Sequence, residues 1–496
     1  MVESVDLVIR GATLYDGTGA APRPGDVALR GERIAAVGDC AELHAGAELD
    51  ARGLALAPGF IDVHTHDDFA LLVRPEMDFK ILGGVTTVVA GNCGLGPAPW
   101  SIARFWGDAF APGGGLPEWS DFPSYFALLE REPPSTNAAV LVGHAVVRGA
   151  AMGTAQRPCD ARELEAMRAL VREGRDAGAI GFSTGLIYEP GRWAEASEIT
   201  ALAAEFAGRG LYATHMRDEG LGLLDSVRES IEVGRRAGVP VQISHHKASG
   251  QAAWGMVKDS LRLIEQAQAE GLDVHADQYP YTAGSTALAA IVRNGAFDGS
   301  PGGLGHIPPD KVAIAASPGH AEWEGLTITA LAELLGLGAQ AAAERVCELV
   351  PATTAVLHSM NEDDVRTVMR HPSTMIGSDG IPTLPGKPHP RLWGTFARVL
   401  GRYARDLGLF PLEEAVRRMT GFPARKFGLR DRGEVRPGAF ADLVLFDPAQ
   451  IIDVGTYEDP NHPPAGIPHV FVNGTRVVRD SAHTGARPGR ALRRLS

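Results

Sequence analysis

Cysteine is scarce in this chain, with only Cys40, Cys93, Cys159 and Cys347 among 496 residues. Such wide spacing excludes a disulfide framework and suits a reducing cytoplasm, the expected location. Basic charge is also short: 47 Lys and Arg face 60 Asp and Glu, a net charge of −13. Nucleic acid and anionic membranes both require basic surfaces, so neither is expected as a partner. No apolar run reaches the ~18 residues of a spanning helix. The opening MVESVDLVIR carries acidic residues where a signal peptide carries basic ones. What remains is a composition of 45% hydrophobic and 22% charged residues with a mean hydropathy of −0.04, that of a globular protein with a large core.

Periodicity divides the chain into three kinds of segment. VDLVIRGATLYDGTG, GDVALRGERIAAVGD and LALAPGF at the start, and GEVRPGAFADLVLFD and HVFVNGTRVVRD near the end, are short strand-like runs broken by turn residues. They predict that residues 1–57 and 430–496 pair into one small β-sandwich. Between them, apolar β-branched runs alternate with helical stretches such as ARELEAMRALVREGRDAG, the pattern of βα units around a parallel sheet. The candidate strands are GFIDVHTH, TTVVAGNCG, AAVLVGH, AIGFSTG, GLYATHMRD, PVQISHHK, DVHADQYPY and STMIGSDG. Eight of them predict an α/β fold, a TIM-type (β/α)8 barrel over 58–429. Its active site lies at the C-terminal strand ends, where the polar residues cluster. Residues 282–360 break the rhythm before the eighth strand, with Gly/Pro-rich stretches such as FDGSPGGLGHIPPD, and read as a lid.

The polar strand ends carry the chemistry. His64 and His66 are two residues apart, so a strand's period of two points both at one face, within reach of one metal. Cys93 in GNCG reads alone as a buried small hydrophobe. It gains weight as a thiolate ligand because His215 and His245 also end apolar strands. In SHHK, alternation groups His245 and Lys247 with Val241 and Ile243, and that set is assigned to the barrel interior. Asp379 in IGSDG has the local look of a turn aspartate, and equally that of a general base beside a metal cluster.

Taken together, HTH, GNCG, THMRDE, SHHK, YPY and GSDG with the downstream PHPRLWG resemble the D-aminoacylase branch (N-acyl-D-amino-acid deacylases) of the amidohydrolase superfamily. The resemblance covers essentially the whole chain, and PGAFADLVLFD and VFVNG resemble the superfamily's terminal β-domain. It implies a tightly held zinc on Cys93, His215 and His245, and a weaker second site with His64 and His66. It also implies substrate contacts from Tyr188 in GLIYEPG, from Lys247 and from Tyr279 in YPY. The fourth strand, AIGFSTGLIYEPG, offers no lysine to carboxylate, a departure from the dihydroorotase and hydantoinase branch.

This resemblance implies a monomer or small homo-oligomer that hydrolyses a small molecule, an N-acyl-D-amino acid. A zinc ion lowers the pKa of a bound water to about 7 and polarises the scissile carbonyl. Asp379 then takes a proton from that water and passes it to the leaving amine. Lys247 and Tyr279, with Arg391 in PHPR as a further candidate, would meet the substrate carboxylate. Ser285, in the segment after YPY, is a further expected substrate contact. That segment also carries Arg293 among apolar neighbours in ALAAIVRNGAF. The apolar majority favours hydrophobic D-side chains, whereas an inward Arg293 would select D-Glu. Alternative readings are a cyclic amidase of dihydroorotase type and a non-catalytic scaffold on the same fold.

Overall fold

The computed structural model describes residues 4–110, 115–297 and 302–494. Eight parallel strands form one sheet in sequential order: β1 (Phe60–Asp62), β2 (Val85–Ala90), β3 (Asn137–Gly143), β4 (Gly181–Gly185), β5 (Leu211–His215), β6 (Val241–Ile243), β7 (Val274–Gln278) and β8 (Thr374–Ile376). These correspond to the eight segments expected from the sequence. Strands such as β2 and β3 are buried at every position, which is why they read as continuous apolar runs rather than alternating ones. The helices between them follow local rules. Helix Ala161–Ala177 starts at a capping box of Asp160 and Glu163 and stops at the left-handed Gly178.

The barrel closes just beyond the ends of β1 and β8. Thr65 and Gly380 form a parallel bridge, and the Asp379 amide donates to the His64 carbonyl at 2.7 Å. A fully buried lysine pins this seam. Lys80 Nζ lies 2.7 Å from Asp62 Oδ2, 2.9 Å from Ser378 Oγ and 3.4 Å from Asp67 Oδ2. Breaking a buried pair leaves uncompensated charge and costs about 3–5 kcal/mol. Lys80→Met is therefore expected to lower stability by that amount in urea denaturation. An unchanged midpoint would remove Lys80 from the seam.

The two ends of the chain join as expected. Ala55–Pro58 pairs antiparallel with Leu443–Phe446, linking the N-terminal strands to the C-terminal ones in one nine-stranded sheet. Alternation splits its side chains: Leu443, Leu445 and Phe471 join the sheet's own core, while Val444, Phe446, Val470 and Val472 pack into the barrel's outer core.

The interruption between β7 and β8 is itself folded. Gly284–Ala287, Thr354–Leu357 and Val312–Ala316 make an antiparallel sheet with Thr354–Leu357 in the middle. Helices Leu288–Arg293, Ile328–Leu335 and Ala339–Leu349 complete it. Its core of Leu288, Ile291, Val312, Trp323, Leu331 and Val346 is separate from the barrel's, and among the described residues outside the lid only Ile187 and Tyr188 from the loop after β4 reach into it. At its base the Met360 amide donates to the Thr282 carbonyl at 3.1 Å. Of the Gly/Pro-rich stretch assigned to this lid, residues 298–301 lie outside the described residues. No helix among the described residues is long and apolar enough to cross a membrane.

Candidate metal centre and active site

Sulfur sits at the centre of the site. Cys93 Sγ lies 3.3 Å from His64 Nε2, 3.5 Å from His245 Nε2 and 3.7 Å from His215 Nδ1. These atoms come from the ends of β1, β2, β5 and β6, so barrel closure is what brings them together. Two overlapping donor sets result: Cys93, His215 and His245, and His64, His66, Cys93 and Asp379. Each set is buried, with ligand atoms within 4.8 Å of one another. A thiolate among imidazoles is the donor chemistry of zinc, so the residues present fit such an ion.

The backbone is bent to deliver these groups. Cys93, His245 and Asp379 have φ of 55°, 36° and 51°, the left-handed region that side chains other than glycine seldom adopt. Outliers of this kind cluster where a site dictates geometry. The turn that presents Cys93 passes too close to its neighbours for larger residues: a Cβ at Gly91 would lie 2.2 Å from the Leu141 carbonyl oxygen.

Asp379 is held on both sides. Its Oδ1 lies 3.2 Å from His66 Nε2 and 3.4 Å from His64 Nε2, and its Oδ2 lies 2.8 Å from Arg391 Nη1. Burial opposes its ionisation, but Arg391, His245 and His64 hold its pKa well below the usual carboxylate range. Burial likewise opposes a thiolate at Cys93, and the surrounding His64, His245 and His215 overcome it, keeping the thiol far below its ordinary value.

Two carboxylates without an assigned role in the sequence analysis organise the histidines. Glu219 Oε1 lies 2.6 Å from Lys247 Nζ and 3.1 Å from His245 Nδ1, and its Oε2 lies 3.7 Å from His215 Nε2. Despite burial, Lys247 and the two histidines depress its pKa below the usual range. Asp277 accepts from the His245 amide at 2.8 Å and faces His64 Nδ1 at 3.3 Å. Their position behind these imidazoles orients the rings and fixes which nitrogen faces the centre. A sequence signal existed for Asp277: a charged residue in the middle of one of the eight expected barrel strands. Glu219, four residues past His215 in THMRDE, had only its proximity to mark it.

Around this centre is a cavity of about 420 Å³ that also contains His66, Tyr188, Lys247, Tyr279, Ser285 and Arg293 in its lining. Lys247 faces it, while His246 turns away to Ser260 Oγ at 2.8 Å and burial pushes its pKa down to about 4. The Tyr188 ring stands edge-on to His215 with centroids 4.8 Å apart, and its hydroxyl meets Thr286 Oγ1 of the lid at 3.1 Å. Arg391 is fully buried behind the cavity wall, stacked over Tyr279 at 4.5 Å and donating to the Ser285 carbonyl at 3.1 Å. Arg293 is the outlier of the expected set. Its side chain is 60% exposed at the rim and pairs with Glu189 at 3.1 Å.

Residues 47–478 match the amidohydrolase family. The chain belongs to that family. It is 44% identical to the D-aminoacylase and 43% identical to the N-acyl-D-glutamate deacylase of Alcaligenes xylosoxydans xylosoxydans, covering 99% and 100% of this chain and 98% of each relative. The N-acyl-D-glutamate deacylase of Bordetella bronchiseptica, solved with zinc and a phosphonate mimic of its tetrahedral intermediate, superimposes with a TM-score of 0.89. It shares 40% identity, over 99% of this chain and all of that one.

Proposed function

We propose that this amidohydrolase cleaves N-acyl-D-amino acids to a carboxylate and a free D-amino acid, using zinc held by Cys93, His215 and His245. His64 and His66 provide a second, weaker position that shares Cys93. One observation carries the reading: a thiolate, two imidazoles and an ionised aspartate converge on one cavity in a chain similar along its full length to deacylases of this type.

When bound, the metal supplies Lewis acidity, activating water and polarising the scissile carbonyl. The remaining work falls to the chain. Asp379, ionised and oriented by Arg391, accepts the proton of the attacking water at Oδ1 and returns it to the leaving nitrogen. The Tyr188 hydroxyl donates to the developing oxyanion. Lys247 and Tyr279 anchor the substrate carboxylate, with Arg391 reinforcing them from behind the ring. Ser285 and Arg293 border the side-chain end of the cavity. Fixing the carboxylate, the carbonyl and the side chain at three points distinguishes D from L substrates. Apolar residues such as Ile187, Ala287, Ala290 and Leu304 dominate the lid-side wall, which favours hydrophobic side chains worth ~1.5–3 kcal/mol each on burial over D-Glu.

The test is elemental analysis of the purified protein alongside hydrolysis of a D/L panel of N-acetyl amino acids and a dihydropyrimidine. Zinc with turnover of N-acetyl-D-leucine, and none of its L form, is expected. Ring opening of the dihydropyrimidine without turnover of linear amides would instead favour the cyclic amidase reading.

A further inference from the structure

The rim of the cavity carries one ion pair that the chemistry above does not use. Arg293 ends helix Leu288–Arg293 of the lid, and its Nη1 lies 3.1 Å from Oε2 of Glu189, on the loop after β4. Both residues line the cavity. Deeper inside, Lys247 lies 2.6 Å from Glu219 and Arg391 2.8 Å from Asp379, the cations already given to the substrate's α-carboxylate end. Arg192 lies on a wall shared with a second cavity, whose lining includes Asp218, Asp225 and Glu229.

We propose that Glu189 is a specificity-determining residue: by pairing with Arg293 it turns a cationic pocket wall into a neutral one and bars acidic substrate side chains. This rests on the deacylase reading and names which substrates that site accepts. A D-Glu carboxylate approaching Arg293 must share the guanidinium with Glu189, and the two carboxylates repel, a modest penalty at a solvent-exposed rim. A leucine or methionine side chain meets no such conflict and packs on Ile187, Ala287 and Leu304 while the pair stays intact. The pair is substantially exposed, 60% at Arg293 and 31% at Glu189, so it contributes little to stability and is replaceable in the folded protein.

Glutamine at this position keeps the shape and removes the charge. The experiment measures kcat/KM for N-acetyl-D-glutamate and N-acetyl-D-leucine with the zinc-loaded wild type, Glu189→Gln, and Glu189→Gln combined with Arg293→Met. The D-Glu to D-Leu ratio is expected to rise about tenfold in Glu189→Gln, through KM rather than kcat. It should fall back once Arg293 is also replaced. An unchanged ratio in Glu189→Gln, or a gain that survives Arg293→Met, overturns the proposal while leaving the deacylase reading intact. A wild type that hydrolyses neither substrate nor any other N-acyl-D-amino acid overturns that reading first, and this one with it.

Discussion

Cys93→Ala protein is expected to emerge from purification without stoichiometric zinc and with kcat reduced roughly a thousandfold or more, because the ion supplies several kcal/mol of transition-state stabilisation. The sulfur lies within 3.7 Å of three imidazole nitrogens and belongs to both donor sets. Alanine removes the anionic ligand from the first set and leaves two neutral imidazoles, which hold a divalent ion poorly. The left-handed backbone at position 93 is no harder for alanine than for cysteine, so the loss reads out ligation rather than misfolding. His215→Ala and His245→Ala should behave alike. His64→Ala, which touches only the second set, should keep the tight metal. Stoichiometric zinc in Cys93→Ala by elemental analysis would sink the assignment.

Asp379→Asn separates chemistry from metal binding. An amide cannot accept and return the proton, so kcat is expected to drop roughly 10²–10⁴-fold while zinc on Cys93, His215 and His245 is retained. Arg391 loses its anionic partner in a fully buried position, so the thermal midpoint should also fall. The fold should survive, since the barrel seam here is made by the Asp379 amide and the Thr65–Gly380 bridge rather than by the carboxylate. Asp379→Ala should share the kinetic defect. Near-normal turnover in either variant would return Asp379 to the role of a turn residue.

The barrel was legible because its information is local. Eight apolar runs each end in polar residues, and helical stretches with caps such as Asp160 and Gly178 separate them. The pairing of the two ends could be read from matching strand texture, and the insertion from the broken rhythm before β8. SHHK shows how far period-two reasoning carries: it separates the face of His245 and Lys247 from that of His246, although the regular strand stops at Ile243.

The charge partners were not legible. Lys80 reads as an ordinary lysine on a short helix, yet it is buried at the barrel seam against Ser378, nearly 300 positions away. Arg391 was expected only as a minor contact to the substrate carboxylate; its ion pair with Asp379 depends on a helix that begins at the barrel mouth. Glu219 and Asp277 acquire their places behind the histidines only when strands β5, β6 and β7 lie side by side. The sequence by itself determined which elements form, in what order, and which polar residues fall at their C-terminal ends, because propensity and periodicity act over a few residues. Tertiary structure alone decided which charge neutralises which, and so whether Arg293 faces the cavity as a free cation or as half of a neutral pair with Glu189. Electrostatic pairing depends on distances of about 3 Å between groups far apart in the chain, and no local pattern encodes those.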